Sequence, residues 1–207
     1  MNIFISANNT ECGKTYTTLK LIKALSQKGY KVGVMKPIET GIEDKAADGE
    51  ILFNTAKNFN PLLNQLSLND IVPVQMKLPA APVVAGEVDF EKIKKAYIKI
   101  KPLCDILLIE GAGGILVPVT QNFKMIDFLD FFNAKLFLVI ASKLGMINDF
   151  LLNKFYLETN NIDFLWAINV FDESYYKISH PFMKKFNPLI IQKDTEKIIK
   201  RIEKWKI

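Results

Sequence analysis

The chain opens with an apolar run of strand length, Ile3 to Ser6, that feeds the polar loop Ser6-Ala7-Asn8-Asn9-Thr10-Glu11-Cys12-Gly13-Lys14-Thr15. A stretch of helical period follows, in which Leu21, Ile22 and Leu25 share one face until Gly29 can cap it. No other segment limits the fold so sharply, because a strand that runs through a short loop into a helix starts an α/β rhythm. That rhythm continues in the strand-length apolar runs Val32 to Met35, Ile106 to Ile109, Leu136 to Ile140 and Phe164 to Val170, separated by longer helical stretches. One of these stretches places Phe90, Ile93, Tyr97 and Ile100 on a face, with Asp89 as its candidate N-cap. Several strand candidates are apolar at nearly every position, as strands covered on both faces are. The expected fold is α/β, with a mostly parallel central sheet flanked by helices on both faces. The absence of repeats, low-complexity tracts and linkers predicts a single domain over 1–207.

A loop between a first strand and a first helix can wrap its backbone N–H groups around a polyphosphate at the helix N-terminus. Lys14 then reaches the terminal phosphates, and the Thr15 hydroxyl is a ligand for Mg2+. The usual GxxxxGK[ST] spacing has a glycine where this chain has Asn8, but the strand before and the helix after make a nucleotide-phosphate loop the better reading than an ordinary polar turn. Cys12 lies in this loop and reads as a passive small residue without a catalytic role.

Composition removes several alternatives. The formal charge of +5 comes from lysines scattered among acids, which predicts a solvated surface and neither a nucleic-acid nor a membrane partner. No apolar run approaches the roughly 20 residues that span a bilayer. The start of the chain lacks the basic region and long apolar stretch of a secretion signal, and the two cysteines, Cys12 and Cys104, are far apart, so a cytoplasmic location is expected. His180 is the single histidine and reads as a surface residue, which disfavours Ser-His-Asp hydrolysis and multi-histidine metal sites.

Three further blocks carry chemistry. Met35-Lys36-Pro37-Ile38-Glu39-Thr40-Gly41 follows the second strand, and a lysine there points into the ligand crevice where phosphate charge develops. Glu110-Gly111-Ala112-Gly113-Gly114 follows the run Ile106 to Ile109; its carboxylate can complete a Mg2+ shell, and its glycines let backbone approach a ligand closely. Lys143-Leu144-Gly145-Met146-Ile147-Asn148 starts a helix and offers an anion site.

Together these blocks resemble the dethiobiotin synthetases, a family of the P-loop NTPase type. The family's loop runs Gly-x-Asp-Thr-Glu-x-Gly-Lys-Thr, matched here by Thr10, Glu11, Gly13, Lys14 and Thr15, with Ala7 and Asn9 replacing the first glycine and the aspartate. The resemblance also covers the family's Lys-Pro-x-x-(Ser/Thr)-Gly, Glu-Gly-Ala-Gly-Gly and Lys-Leu-Gly-x-Ile-Asn. It implies catalytic roles for Lys36 and Lys14. Nucleotide contacts would come from Glu11, Cys12, Gly13, Lys14, Thr15, Tyr16, Asp48, Glu110, Gly111, Ala112, Gly113 and Asn169. Mg2+ would be held by Thr15, Asp48 and Glu110. The substrate would meet Thr40, Lys36, Gly145, Met146, Ile147 and Asn148, the last four at the interface of a homodimer.

Pro79-Ala80-Ala81-Pro82 resembles the family's proline-containing segment beside the substrate, with Val83 where a histidine is common, and Val170 replaces the aspartate that follows Asn169. Asn187 to Lys193 is expected to end a strand near the base pocket. The implied reaction uses 7,8-diaminononanoate, CO2 or bicarbonate, and ATP with Mg2+. A carbamate is phosphorylated to a carbamic-phosphoric anhydride, and the second amine closes a ureido ring. The rival from another class, an ATP-driven partitioning switch, carries an extra lysine where this chain has Asn9.

Overall fold

The computed structural model describes residues 1–206. Its strands are β1 (Asn2–Ala7), β2 (Val32–Met35), β3 (Ile38–Thr40), β4 (Val74–Met76), β5 (Ile106–Gly114), β6 (Lys135–Ala141) and β7 (Phe164–Asn169). The longer helices are α1 (Lys14–Gln27), α2 (Ala47–Phe59), α3 (Phe90–Ile100), α4 (Met146–Thr159) and α5 (Thr195–Glu203). The central sheet has the order β2-β5-β1-β6-β7, with every pairing parallel. Every residue of β1 is buried, as is every residue of β6 after Lys135, which accounts for their unbroken apolar runs. On α1, Leu21, Ile22 and Leu25 are fully or almost fully buried. Each such side chain contributes about 1.5–3 kcal/mol by leaving water. Lys28 and Gly29 donate to the carbonyls of Leu25 and Ser26 and so end the helix where the glycine predicts. Asp89 caps α3 as expected, accepting from the Lys92 N–H at 2.9 Å.

The order of strands fixes where a ligand can sit. From central β1 the chain moves to β2 and β5 on one side and later to β6 and β7 on the other, so the loop after β1 lies at the topological switch point. The residues following β2, β1, β6 and β7 all gather at the carboxyl edge of one sheet.

Four local features differ from the sequence reading. The Glu110 to Gly114 run does not follow β5 but belongs to it, because Gly114 still pairs with Ala7 across a register shift. β7 stops at Asn169, one residue short of Val170. The Asn187 to Lys193 segment forms no strand; Ile190 makes only an isolated parallel bridge to Ile168. His180 is partly buried and packs near Tyr175 and Tyr176, not free on the surface. A small parallel pair, β3 with β4, also stands apart from the main sheet. At three residues each, these strands are too short for periodicity to show them.

Candidate active site

The loop after β1 takes its shape from Gly13, whose φ of 83° is in the left-handed region. Any Cβ there would stand 2.0 Å from the Asn169 side-chain nitrogen, so both the backbone angle and the space demand glycine. Asn169, at the end of β7, donates to the Cys12 carbonyl at 3.0 Å and accepts from Gln192 at 2.7 Å. Its amide therefore braces the loop. Burial raises the Cys12 thiol pKa, although Lys14 opposes the shift, so the loop does not activate the sulfur.

Lys14 is only 8% exposed, and its ammonium has one long hydrogen bond, to the Asn9 carbonyl at 3.4 Å. Burial lowers its pKa, with Glu110 the main opposing influence. A buried, poorly paired ammonium facing a cavity is prepared to receive an anion.

Beside it lies a dense ionic cluster. Glu110 is fully buried. Its Oε1 accepts from Lys36 Nζ at 2.8 Å and from the Thr15 hydroxyl at 2.9 Å, and its Oε2 accepts from the Thr18 hydroxyl at 2.7 Å. Lys36 Nζ also donates to Asp48 Oδ2 at 2.7 Å and so bridges two carboxylates. Burial works against the charge on Lys36, but Glu110 and then Asp48 outweigh it and hold the ammonium well above its ordinary pKa. For Asp48, burial pushes the carboxyl up while Lys36 and its hydrogen bond prevail and keep the pKa low. Asp48 and Lys36 are thus charged together at neutral pH.

Thr10 to Thr15, Lys36, Glu39, Thr40, Asp48, Gly111 to Gly113 and Phe171 line one cavity of about 430 Å³ above this cluster. A second cavity of about 350 Å³ shares Thr10, Thr40, Ala112 and Gly113 with the first and adds Pro79 to Pro82 and Val117. Thr40 stands at the junction. Gly145 to Asn148 lie in neither; they line a third groove with Phe171, Asp172 and Tyr175 at the start of α4. Tyr16 is exposed and lines none of these three cavities.

Several residues here escape the sequence reading. Thr18 follows Lys14 by one helical turn, a spacing that could have indicated a shared face. Glu39 occupies a variable position inside a recognised block. Gln192 and the buried Tyr175, whose hydroxyl has no partner, carry no local signal. The oxygens of Thr15, Asp48 and Glu110 are hard donors that meet at one point already spanned by a cation, the Lys36 ammonium, and so they fit Mg2+. Among the described residues, no cluster of three or more His, Cys, Asp or Glu side chains could hold a metal. The small donor set suits an ion that is bound through one or two carboxylates and completes its shell with substrate phosphates.

A loop braced at a strand–helix junction, with its lysine and threonine facing a carboxylate on the neighbouring strand, defines a nucleotide-binding protein of the P-loop class. Accordingly, a family model described as an AAA domain matches residues 1–189. Among solved structures, a plasmid partition protein from Borrelia burgdorferi has a TM-score of 0.58 at 12% identity, covering 100% of this chain and 98% of its own. The MinD cell division protein of Aquifex aeolicus has a TM-score of 0.50 at 17% identity, covering 91% and 79%. These two likenesses show the fold alone. Sequence relatives are more specific. The ATP-dependent dethiobiotin synthetase of Sulfurovum sp. (strain NBC37-1) is 44% identical over 186 residues, which are 87% of this chain and 89% of the relative. That of Wolinella succinogenes is 36% identical over 202 residues, 94% and 93% of the two chains. The chain belongs to the family of ATP-dependent dethiobiotin synthetases.

Proposed function

We propose that the chain is a ligase that converts 7,8-diaminononanoate and CO2 to dethiobiotin at the expense of ATP, using the ionic cluster around Lys36. The observation that carries the residue assignments is the Lys36 ammonium held between Asp48 and Glu110 beside the phosphate loop. The loop amides of Glu11 to Thr15 and the Lys14 ammonium bind the β- and γ-phosphates. Mg2+ is assigned to the Thr15 hydroxyl and the Asp48 and Glu110 carboxylates, where it supplies charge neutralisation to the polyphosphate when bound. The diamine occupies the cavity lined by Thr40 and Pro79 to Pro82, which adjoins the phosphate cavity.

One substrate amine adds to CO2 to give a carbamate. Its oxygen attacks the γ-phosphorus, ADP leaves, and the carbamic-phosphoric anhydride remains. The second amine attacks the carbonyl carbon, the ring closes and phosphate departs with the C–O bonding pair. Such chemistry asks the protein mainly for positioning and charge. Lys36 supplies the latter next to the transferring phosphoryl group.

Gly145 to Asn148 support a homodimer reading, because they line neither the cavity of Lys36 nor that of Pro79 to Pro82, and a second copy could present them to its neighbour's substrate. In the groove they line, the start of α4 suits a carboxylate. Asn169 and Gln192 border the base region, and Glu11, Gly111, Ala112 and Gly113 border the phosphates. The free cysteines Cys12 and Cys104 support a cytoplasmic setting.

The test is phosphate release from ATP with Mg2+ and bicarbonate, with and without the diamine, followed by mass spectrometry for dethiobiotin. Diamine-dependent release with a matching product is expected. Diamine-independent hydrolysis would return the reading to the partitioning switches that share the fold.

A further inference from the structure

Helix α2 begins without a cap of its own. Its N-cap position is Ala46, which offers no side-chain acceptor, although the first N–H groups of any helix need partners. The acceptor comes instead from another element. Glu39, on β3, is 6% exposed, and its Oε1 accepts from the Asp48 N–H at 3.0 Å while its Oε2 accepts from the Gly49 N–H at 2.9 Å. A carboxylate at that end also opposes the positive pole of the helix dipole. The approach is close: a Cβ on Gly49 would stand 3.2 Å from Glu39 Oε2 and 2.0 Å from a Val72 methyl, so α2 can dock here only through a glycine.

The consequence falls on Asp48. Its side chain is half-exposed, so packing does not hold it, yet it meets Lys36 at 2.7 Å. The residues before α2, Gly41 to Ala46, include the exposed Glu43, Asp44 and Lys45. Backbone hydrogen bonds from Gly41 and Ile42 run back to Leu78 and Met76 and give no support to the start of the helix. Lys45 reaches the first turn only through a solvent-exposed ion pair with Glu50, so the Glu39 carboxylate is the buried polar tie that fixes the backbone of Asp48 over Lys36.

We propose that Glu39 is a positioning residue of the phosphoryl-transfer centre: by capping α2 from β3 it holds Asp48 in place against Lys36 and Thr15. The proposal rests on the assignment of Asp48 to the cation and nucleotide made above. Because Thr40 follows Glu39 on the same short strand, the substrate cavity and the capped helix share one support.

The test is a double-mutant cycle in the full chain with Glu39→Gln and Asp48→Asn. Each protein is assayed for turnover, for the Mg2+ concentration giving half-maximal rate, and, apart from activity, for ADP binding by calorimetry with and without Mg2+. Glutamine keeps the shape but turns an N–H donor toward one of the two amides. Glu39→Gln is expected to lower kcat about tenfold to a hundredfold, as the loss of a hydrogen bond to a charged group would. It should also raise the half-saturating Mg2+ and weaken the Mg2+-dependent part of ADP binding, while Mg2+-free ADP binding through the loop stays within about twofold.

In the Asp48→Asn background the same change should cost less than about threefold, because its target has gone. An equal loss in both backgrounds, or an unchanged Mg2+ dependence, overturns the proposal. Glu39→Asp keeps the charge but cannot span both amides, and it provides the same readings if the glutamine variant does not fold. The calorimetric arm does not depend on dethiobiotin formation, so a failure of the functional reading remains separable from a failure of this one.

Discussion

Replacing Lys36 with alanine should damage stability and turnover together, for a reason the geometry makes quantitative. The Glu110 side chain is 0% exposed and that of Lys36 5%, so their 2.8 Å contact is a buried ion pair. Removing one partner of such a pair costs about 3–5 kcal/mol, mostly because the other charge is stranded. Glu110 keeps the Thr15 and Thr18 hydroxyls, which places the expected cost near the lower end, about 3 kcal/mol. In a domain of this size that lowers Tm by about 6–12 °C. Turnover should fall about a hundredfold to a thousandfold, the usual consequence of losing one charge-stabilising donor in the transition state. ADP binding through the loop should survive. The assays are calorimetric melting, ADP titration and dethiobiotin formation on the same preparation. The double variant Lys36→Ala/Glu110→Gln should regain more than half of the lost stability but none of the activity, since it removes the stranded charge without restoring the cation. A Lys36→Ala protein that melts within about 2 °C of the parent, or one that turns over normally, would refute the reasoning.

Lys14→Met should abolish turnover yet stabilise the ligand-free protein by on the order of 1 kcal/mol, about 2–4 °C in Tm, because burial already opposes the ammonium there; a lower Tm in differential scanning calorimetry would contradict this. Asn60 is buried and donates to the carbonyls of Val32 and Leu103, so Asn60→Ala should cost about 2 kcal/mol in urea denaturation with an unchanged m-value. The folded pKa of Asp48 lies below its unfolded value of about 3.9. Its contribution is therefore present above about pH 4 and is lost as pH falls through the folded value. Urea midpoints of the parent and Asp48→Asn should differ by a constant amount at pH 5–6 and converge below about pH 4; a gap that persists under acid would count against the assignment.

What the sequence revealed follows from physical range. The strands β1, β2 and β6 were legible because they are buried on both faces and so write uninterrupted apolar runs. Lys14, Lys36 and Glu110 were legible because each sits next to such a run, where the topology brings strand ends together. The glycine run after Glu110 reads as lying beyond the strand, since composition alone cannot show that Gly114 still pairs with Ala7. Thr18 and Gln192 act through partners far away in sequence and Glu39 through a neighbouring element, and no local pattern records a tertiary hydrogen bond. Asn169 shows the same limit: its position at a strand end was evident, but the bonds to Cys12 and Gln192 that occupy its amide were not.

The fold shared with the partition and cell-division proteins does not decide what the site does, and the local charges explain why. The cavity is lined by Lys14 and Lys36 and by the acids Glu11, Glu39 and Asp48, with Glu110 buried against Lys36, so acids outnumber cations where a polyphosphate must bind. The lysine that the switch proteins carry in the loop is replaced by Asn9, whose carbonyl instead accepts from Lys14. A triphosphate entering alone would therefore meet a site that repels it on one side. Under the proposed assignment, cationic charge at Thr15, Asp48 and Glu110 would relieve the repulsion and free the Lys36 ammonium from its bridge between the carboxylates. Lys36 lines the phosphate-loop cavity together with Thr40, and Thr40 is shared with the second cavity. A lysine released there by nucleotide binding can neutralise a phosphoryl group in transit to a second substrate. A ligase must guide that group to an organic acceptor, whereas a hydrolysing switch passes it only to water.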